Sequence, residues 1–182
     1  MPELPEVESM RRYLTVCIVG TTIQEVIINN PNSIIPTMST ISSITGDMIT
    51  HLDRIGKKLF IHLSSSLIIS VHFKMSGSFY MRDFSDPPDI HDRVIFNLGS
   101  SLLCFHDPRK FGKIGIYDYK DEATKHLGID ALSNDLDAHS LFKLLHNHTV
   151  GMKRFLLDQK KICGIGNIYV DEMLFASRIH PS

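Results

Sequence analysis

Residues 58–73 read KLFIHLSSSLIISVHF, and the fold turns on how that stretch is parsed. Two short runs rich in apolar and β-branched residues, Lys58–Leu63 and Leu67–Phe73, flank the turn signal Ser64-Ser65-Ser66. The reading is two strands joined closely enough to pair antiparallel. The same grammar repeats outward. Thr22–Ile28 and Met48–His51 precede the stretch, and Ser78–Met81, Val94–Leu98, Leu102–Phe105 and Lys113–Tyr117 follow it. Pro31-Asn32, Pro87-Pro88 and Gly99-Ser100 punctuate them, and Asp83–Asp92 reads as an exposed loop. Strands this closely spaced predict an antiparallel β-sandwich or barrel.

The pattern changes at both ends. Glu3 to about Val19 reads as a helix, with Pro5 in its first turn, Leu4, Val7, Met10, Leu14 and Ile18 at helical spacing, and Gly20 as its stop. After about Lys120 the periodicity becomes helical again, over Ala138–His146, Gly151–Gln159 and Asn167–Ala176. Helices with apolar faces need partners, and these three do not complete a bundle. The expected class is α+β: an antiparallel sandwich or pseudobarrel flanked by helices over residues 1–130, then a partial all-α unit over 131–182.

Composition narrows the functional classes. The 182 residues are 43% hydrophobic and 21% charged, ordinary for a globular chain. No apolar run is long enough to span a bilayer, and the opening residues are too acidic and proline-rich for a secretory signal. Cys17, Cys104 and Cys163 lie far apart without CxxC spacing, which predicts buried thiols in a reducing cytoplasm and no zinc site within this chain. The ten histidines are scattered, so metal ligation is the less favoured reading for them. A net charge of −1 does not advertise a nucleic-acid partner. Placement weakens that objection: Arg54, Lys57, Lys58, Lys74, Arg93, Arg109, Lys110 and Lys113 fall mid-chain, and acids gather in Asp83–Asp92 and Asp118–Asp137.

The chemistry concentrates at the extreme N-terminus. With Met1 removed, Pro2 offers a free secondary amine. α-Amino groups titrate at about 7.7–8.0, and neighbouring cations lower that value. Such an amine can attack a sugar carbon and form an iminium. Glu3 is adjacent and could move protons, and Glu6 lies one helical turn further on. Taken alone, the pattern favours a plain helix start, because acids and prolines are common there.

Five ordered blocks shift that balance. Met1-Pro2-Glu3-Leu4-Pro5-Glu6-Val7-Glu8 with Arg11-Arg12 opens the chain. Gly56-Lys57-Lys58-Leu59, His72-Phe73-Lys74-Met75-Ser76-Gly77-Ser78, His106-Asp107-Pro108-Arg109-Lys110-Phe111-Gly112 and Gly164-Ile165-Gly166-Asn167-Ile168-Tyr169 follow in order. Together they resemble the formamidopyrimidine-DNA glycosylase family, from residue 2 to residue 181. The resemblance implies a base-excision repair enzyme for oxidised purines such as 8-oxoguanine and formamidopyrimidines. Pro2 would be the nucleophile, Glu3 a proton-transfer residue and Lys57 a catalytic phosphate contact, with β,δ-elimination following. Glu6 would shape the lesion pocket. Met75, Arg109 and Phe111 would fill the gap left by the flipped nucleotide. His72, His91, Lys153 and Asn167 would contact DNA, with Asn167 also capping its helix and the two glycines before it admitting a phosphate. Lys58 is expected to stay solvated. For Met75 and Phe111 the competing reading is core packing, for Lys57 and Lys58 protective charge on an edge strand, and for His72 a satisfied core histidine.

The resemblance implies damaged double-stranded DNA as partner, a monomer, no membrane, and the bacterial cytoplasm and nucleoid. The family's four-cysteine zinc finger and its arginine have no counterpart in these residues, so no cofactor or metal is expected in the chain, the second nick is in question, and DNA affinity is expected to be low and salt-dependent. Competing readings are a catalytically weak DNA-binding remnant, an endonuclease VIII-like enzyme for oxidised pyrimidines, which Leu4 in place of glycine disfavours, and a protein-binding domain.

Overall fold

The computed structural model describes residues 1–36, 40–146 and 148–182. Helix α1 (Leu4–Ile18) carries the buried stripe Leu4, Val7, Leu14 and Ile18. Strands follow in chain order: β1 (Glu25–Ile28), β2 (Ile49–Ile55), β3 (Lys58–Leu63), β4 (Ile68–His72), β5 (Ser78–Arg82), β6 (Asp92–Asn97), β7 (Leu102–His106) and β8 (Lys113–Tyr117). They form two four-stranded sheets, ordered β2-β3-β4-β8 and β1-β6-β7-β5, with every neighbouring pair antiparallel. The quoted stretch is the hairpin β3–β4, with Leu59 opposite Val71 and Ile61 opposite Ile69.

Alternation decides what each face does. Leu59, Ile61, Ile69 and Val71 point inward to meet Phe79, Phe96, Leu103 and Phe105 of the other sheet, and Val7, Leu14 and Ile18 of α1 close the same core. The ring of Phe105 lies 5.3 Å from Phe79 and 6.2 Å from Phe73, within the range of favourable aromatic contacts. The opposite face of β3 and β4 presents Phe60 and Ile68, which Ala123 of the short helix α2 (Lys120–Thr124) covers. At one turn, α2 is too short to show a period.

Two strands end elsewhere than the sequence predicts. β1 starts at Glu25, and Thr22 makes only an isolated bridge to Met48. β2 continues past His51 to Ile55, through Asp53 and Arg54, whose charges are met by Lys120 and Asp130.

The second unit contains α3 (Ala138–Leu145), α4 (Met152–Leu157) and α5 (Asn167–Ser177). A two-residue parallel pairing of β9 (Ile129–Asp130) with β10 (Ile162–Cys163) ties its entry to the segment before α5. Phe155, Leu156, Ile162, Ile165, Val170 and Leu174 form its small core. Cys104 and Cys163 are buried, and all three cysteines are free thiols.

Candidate active site

Where sandwich and helices meet lies a cavity of about 550 Å³. Met1, Lys57, Lys58, His72, Lys74, Lys113, His126 and Asn167 line it. Basic residues from four separate parts of the sequence therefore converge beside the chain's first residue. Arg54, Arg93, Arg109 and Lys110 of the mid-chain basic set do not join them. Arg54 pairs with Asp130 and Glu8, and buried Arg93 donates from Nε to the Asp107 carbonyl.

Lys57 stands at the tip of the β2–β3 hairpin, in the two-residue turn Gly56-Lys57. Gly56 has φ +57°, which suits the first position of a type II′ turn. Asp130 fixes the tip: its Oδ2 accepts the Gly56 N–H at 2.6 Å, and its two oxygens take the Arg54 fork at 2.6 and 2.9 Å. Burial raises the Asp130 carboxyl, but Arg54 and the N–H groups of Gly56 and Leu132 outweigh it and hold its pKa below the ordinary value. Burial pushes the Lys57 ammonium below its usual range, and the charges of Glu3 and Glu6 offset part of that fall. Lys58 departs from the expectation of a solvated side chain. It is half-buried, its ammonium donates to the Ala123 carbonyl at 2.7 Å, and burial lowers its pKa.

Glu3 is 2% exposed and makes the longest-range connection at the site. Its carboxylate accepts the N–H groups of Ile168 at 3.0 Å and Tyr169 at 3.3 Å, in the first turn of α5. A side chain from residue 3 thus occupies donors that a helix start leaves free. Asn167 does not cap α5: the cap position is Gly166, and the donors are taken by Glu3. Gly164 and Gly166 are small for the same reason. A Cβ on Gly166 would lie 2.2 Å from the Glu3 carboxyl carbon, and one on Gly164 would lie 2.4 Å from Leu4. Glu6 completes the clasp, accepting the Glu3 N–H at 2.8 Å and the Tyr169 hydroxyl at 2.9 Å. Burial raises the Glu6 carboxyl, but those two bonds and the nearby N-terminus bring its pKa below the ordinary value. Pro2 is half-buried and does not itself line the cavity; it links Met1, which does, to Glu3 of the clasp.

His72 lines the cavity as a neutral imidazole. Burial first, then Lys74, Lys58, Lys57 and His126, push it down to about 3. Its Nδ1 accepts the Lys74 N–H at 3.1 Å, so the remaining proton sits on Nε2.

Met75, Arg109 and Phe111 are exposed, and the Arg109 guanidinium sits 5.1 Å from the centre of the Phe111 ring. Fully buried Asp107 organises both loops that carry them. It accepts the Ser76 hydroxyl at 2.5 Å and the Gly112 N–H at 2.7 Å. Lys74 and Lys110, beside Met75 and Phe111, have φ +55° and +61°, a left-handed conformation costing about 1–2 kcal/mol per residue. His91 is half-buried against Arg93, at 3.1 Å from its guanidinium. Lys153 pairs with Asp171 at 2.6 Å, linking α4 to α5. The sequence reading missed Asp107 and Asp130, which act on the site through backbone N–H groups; the only signal available was an acid beside a turn.

An antiparallel sandwich abutting a small helical unit, with lysines and histidines in the cleft between them and the chain start at its rim, defines an α+β class of protein. The comparisons resolve the class further. The formamidopyrimidine-DNA glycosylase N-terminal domain matches residues 1–114, and the H2TH domain of the same enzymes matches residues 127–182. A formamidopyrimidine-DNA glycosylase of Photobacterium profundum is 39% identical over 100% of this chain and 68% of its own length. One from a Marinomonas species is 40% identical, again over 100% of this chain and 68% of the relative. The structure of Lactococcus lactis Fpg with DNA containing an abasic site superposes with TM-score 0.91 at 30% identity, covering 99% of this chain and 68% of that one. The same enzyme with DNA containing an oxidised pyrimidine also gives 0.91 at 30% identity, over 99% of this chain and 70% of that one. This chain belongs to the formamidopyrimidine-DNA glycosylase family.

Proposed function

We propose that the chain is a DNA-repair glycosylase and abasic-site lyase that acts on oxidised bases in duplex DNA, oxidised purines first, with Pro2 as nucleophile once Met1 is removed. The observation that carries this reading is the clasp of Glu3 and Glu6 on α5. It holds the chain start beside a cavity whose lining includes Lys57, Lys58, Lys74 and Lys113.

The chemistry follows from that placement. The neutral Pro2 nitrogen attacks C1′, and the glycosidic bond breaks with its electron pair leaving on the base, which takes up a proton. The attacking nitrogen gives up its proton, and its lone pair then expels O4′ from C1′: the sugar ring opens, O4′ takes up a proton and C1′=N⁺ stands as the iminium. That cation acidifies the C2′ proton, and its loss expels the 3′ phosphate in β-elimination. Lys57, at the hairpin tip, faces the phosphate side of this reaction. Its buried position makes the ammonium costly until a phosphate arrives to pair with it. Glu3 holds the terminus with one N–H group on each carboxylate oxygen, and the second lone pair of each oxygen remains for moving protons at the sugar. Met75, Arg109 and Phe111, all exposed, would fill the gap the damaged nucleotide leaves in the duplex, at a stacking cost of roughly a few kcal/mol. His72 offers an uncharged donor to DNA, Lys74 and Lys113 add positive potential, and His91, Lys153 and Asn167 stand as further phosphate contacts. Among the described residues no helix is long and apolar enough to cross a membrane. The cytoplasm and nucleoid are the compartments where such a substrate is found.

A duplex carrying a single 8-oxoguanine tests the reading. Incubation at low salt is expected to release the base and nick the strand. Lys57→Ala is expected to slow nicking more than base release. An intact lesion strand after confirmed loss of Met1 would contradict the proposal.

A further inference from the structure

On the outer face of the β2–β3 hairpin, away from the cavity, we infer a divalent transition-metal site formed by His51, Asp53 and His62, with Zn²⁺ as the fitting occupant. The three residues look unrelated in sequence. The antiparallel register puts them together: His51 lies directly opposite His62, and Asp53 is two residues on, on the same face. One ligand atom from each lies within 4.8 Å of the others. The His62 Nε2 to Asp53 Oδ2 separation is 3.1 Å. Two ligands on a tetrahedral Zn²⁺ with bonds of about 2.0 Å are about 3.3 Å apart, so this pair already spans one edge of the polyhedron.

Three further features favour a cation there. Asp53 Oδ1 is buried and has no hydrogen-bond partner among the described residues, leaving a carboxylate oxygen with lone pairs unused. The imidazoles of His51 and His62 stack at 3.9 Å with an interplanar angle of 11°, an arrangement that disfavours two imidazolium charges. Thr50 orients the His51 ring: its hydroxyl donates to the His62 carbonyl at 3.1 Å and lies 3.2 Å from His51 Nδ1. That hydroxyl oxygen therefore accepts the Nδ1 proton, leaving the His51 Nε2 lone pair for a metal. On binding, the His62 proton now shared with Asp53 moves to Nδ1, so the ring ligates through Nε2 without a change in charge.

Lys120 is the competitor, its ammonium 2.5 Å from Asp53 Oδ2. In that same position it lies 5.1 Å from the centre of the Phe60 ring, and a dication must displace it from Asp53. Two imidazoles and one carboxylate leave a fourth position for water, and the bound ion would cross-link β2 to β3 on the hairpin whose tip carries Lys57.

The test uses the 182-residue chain stripped with a chelator and titrated with Zn²⁺, with Co²⁺ as the spectroscopic probe. One equivalent of Zn²⁺ is expected, with d–d absorption of four-coordinate intensity for Co²⁺. His62→Gln and Asp53→Asn should weaken Zn²⁺ binding more than tenfold. His51→Gln, at an exposed position that keeps the fold, should do the same and abolish the Zn²⁺-dependent rise in melting temperature. Lys120→Ala should bind more tightly than the unaltered chain. Zn²⁺ uptake unchanged in His51→Gln, no uptake by the unaltered chain, or weaker binding in Lys120→Ala would each overturn the assignment.

Discussion

The sandwich and the helical unit solve the problem of burial differently. The sandwich encloses its core from both sheets and α1, with Phe96 and Phe105 at 1% and 0% exposure. The helical unit gathers six buried residues and leaves Phe142 and Phe175 at 61% and 84% exposed. One unit is a closed body; the other takes part of its definition from outside, through Glu3 on the α5 N-terminus and Asp130 beside the hairpin turn. The site lies on that seam. Closed packing supplies rigid strands, and the open unit supplies backbone donors that fix the chain start.

The sharpest way to break the contrast is to cut into each core. Phe105→Ala should destabilise the protein by about 3–5 kcal/mol, read as a fall in the urea midpoint. Leu156→Ala in the helical unit should cost less, about 2 kcal/mol, because a half-open site relaxes around the lost volume. Equal losses would mean that the two cores are equally closed.

A second substitution tests the seam itself. Gly166→Ala places a methyl inside the Glu3 carboxyl and must evict it, leaving buried donors unpaired at a cost of about 1–3 kcal/mol. Hydrogen exchange should accelerate at the Ile168 and Tyr169 amides and leave the β3–β4 amides protected. Protection unchanged at Ile168 would show that α5 does not depend on residue 3.

A further effect is confined to acid. His72 in the unfolded chain takes its proton near the ordinary value of about 6.5, whereas the folded ring waits until about 3. Between those values the unfolded state binds more protons, so stability present above the upper one is lost as pH falls towards the lower. His72→Gln should flatten that acid limb and leave stability near neutral pH unchanged. A ring resonance titrating near 6.5 in the folded protein would contradict a neutral imidazole facing the lysines.

Much of the fold was legible in the sequence because alternation and helical spacing are local. KLFIHLSSSLIISVHF announces a hairpin without reference to anything else. Lys120–Thr124 and the pair β9–β10 were not legible, since one helical turn and two-residue strands carry no period. The basic cavity was half legible: Lys57, Lys58, Lys74 and Lys113 stood out as charges, but Arg54 and Arg93 looked the same and proved to be structural. Glu3 and Asn167 show the firmest limit. Asn167 sits where a capping side chain would be expected, yet the donors go to a residue at the far end of the chain. His51 and His62 illustrate the same limit, because cross-strand register, not spacing, makes them neighbours.

The most direct measurement is borohydride reduction of the chain, freed of Met1, mixed with duplex DNA bearing one abasic site. The predicted result is a covalent adduct whose mass and peptide map place the sugar on the Pro2 nitrogen. An adduct on any lysine instead, or none with Met1 confirmed absent, would contradict the claim that the seam exists to hold that amine against a deoxyribose.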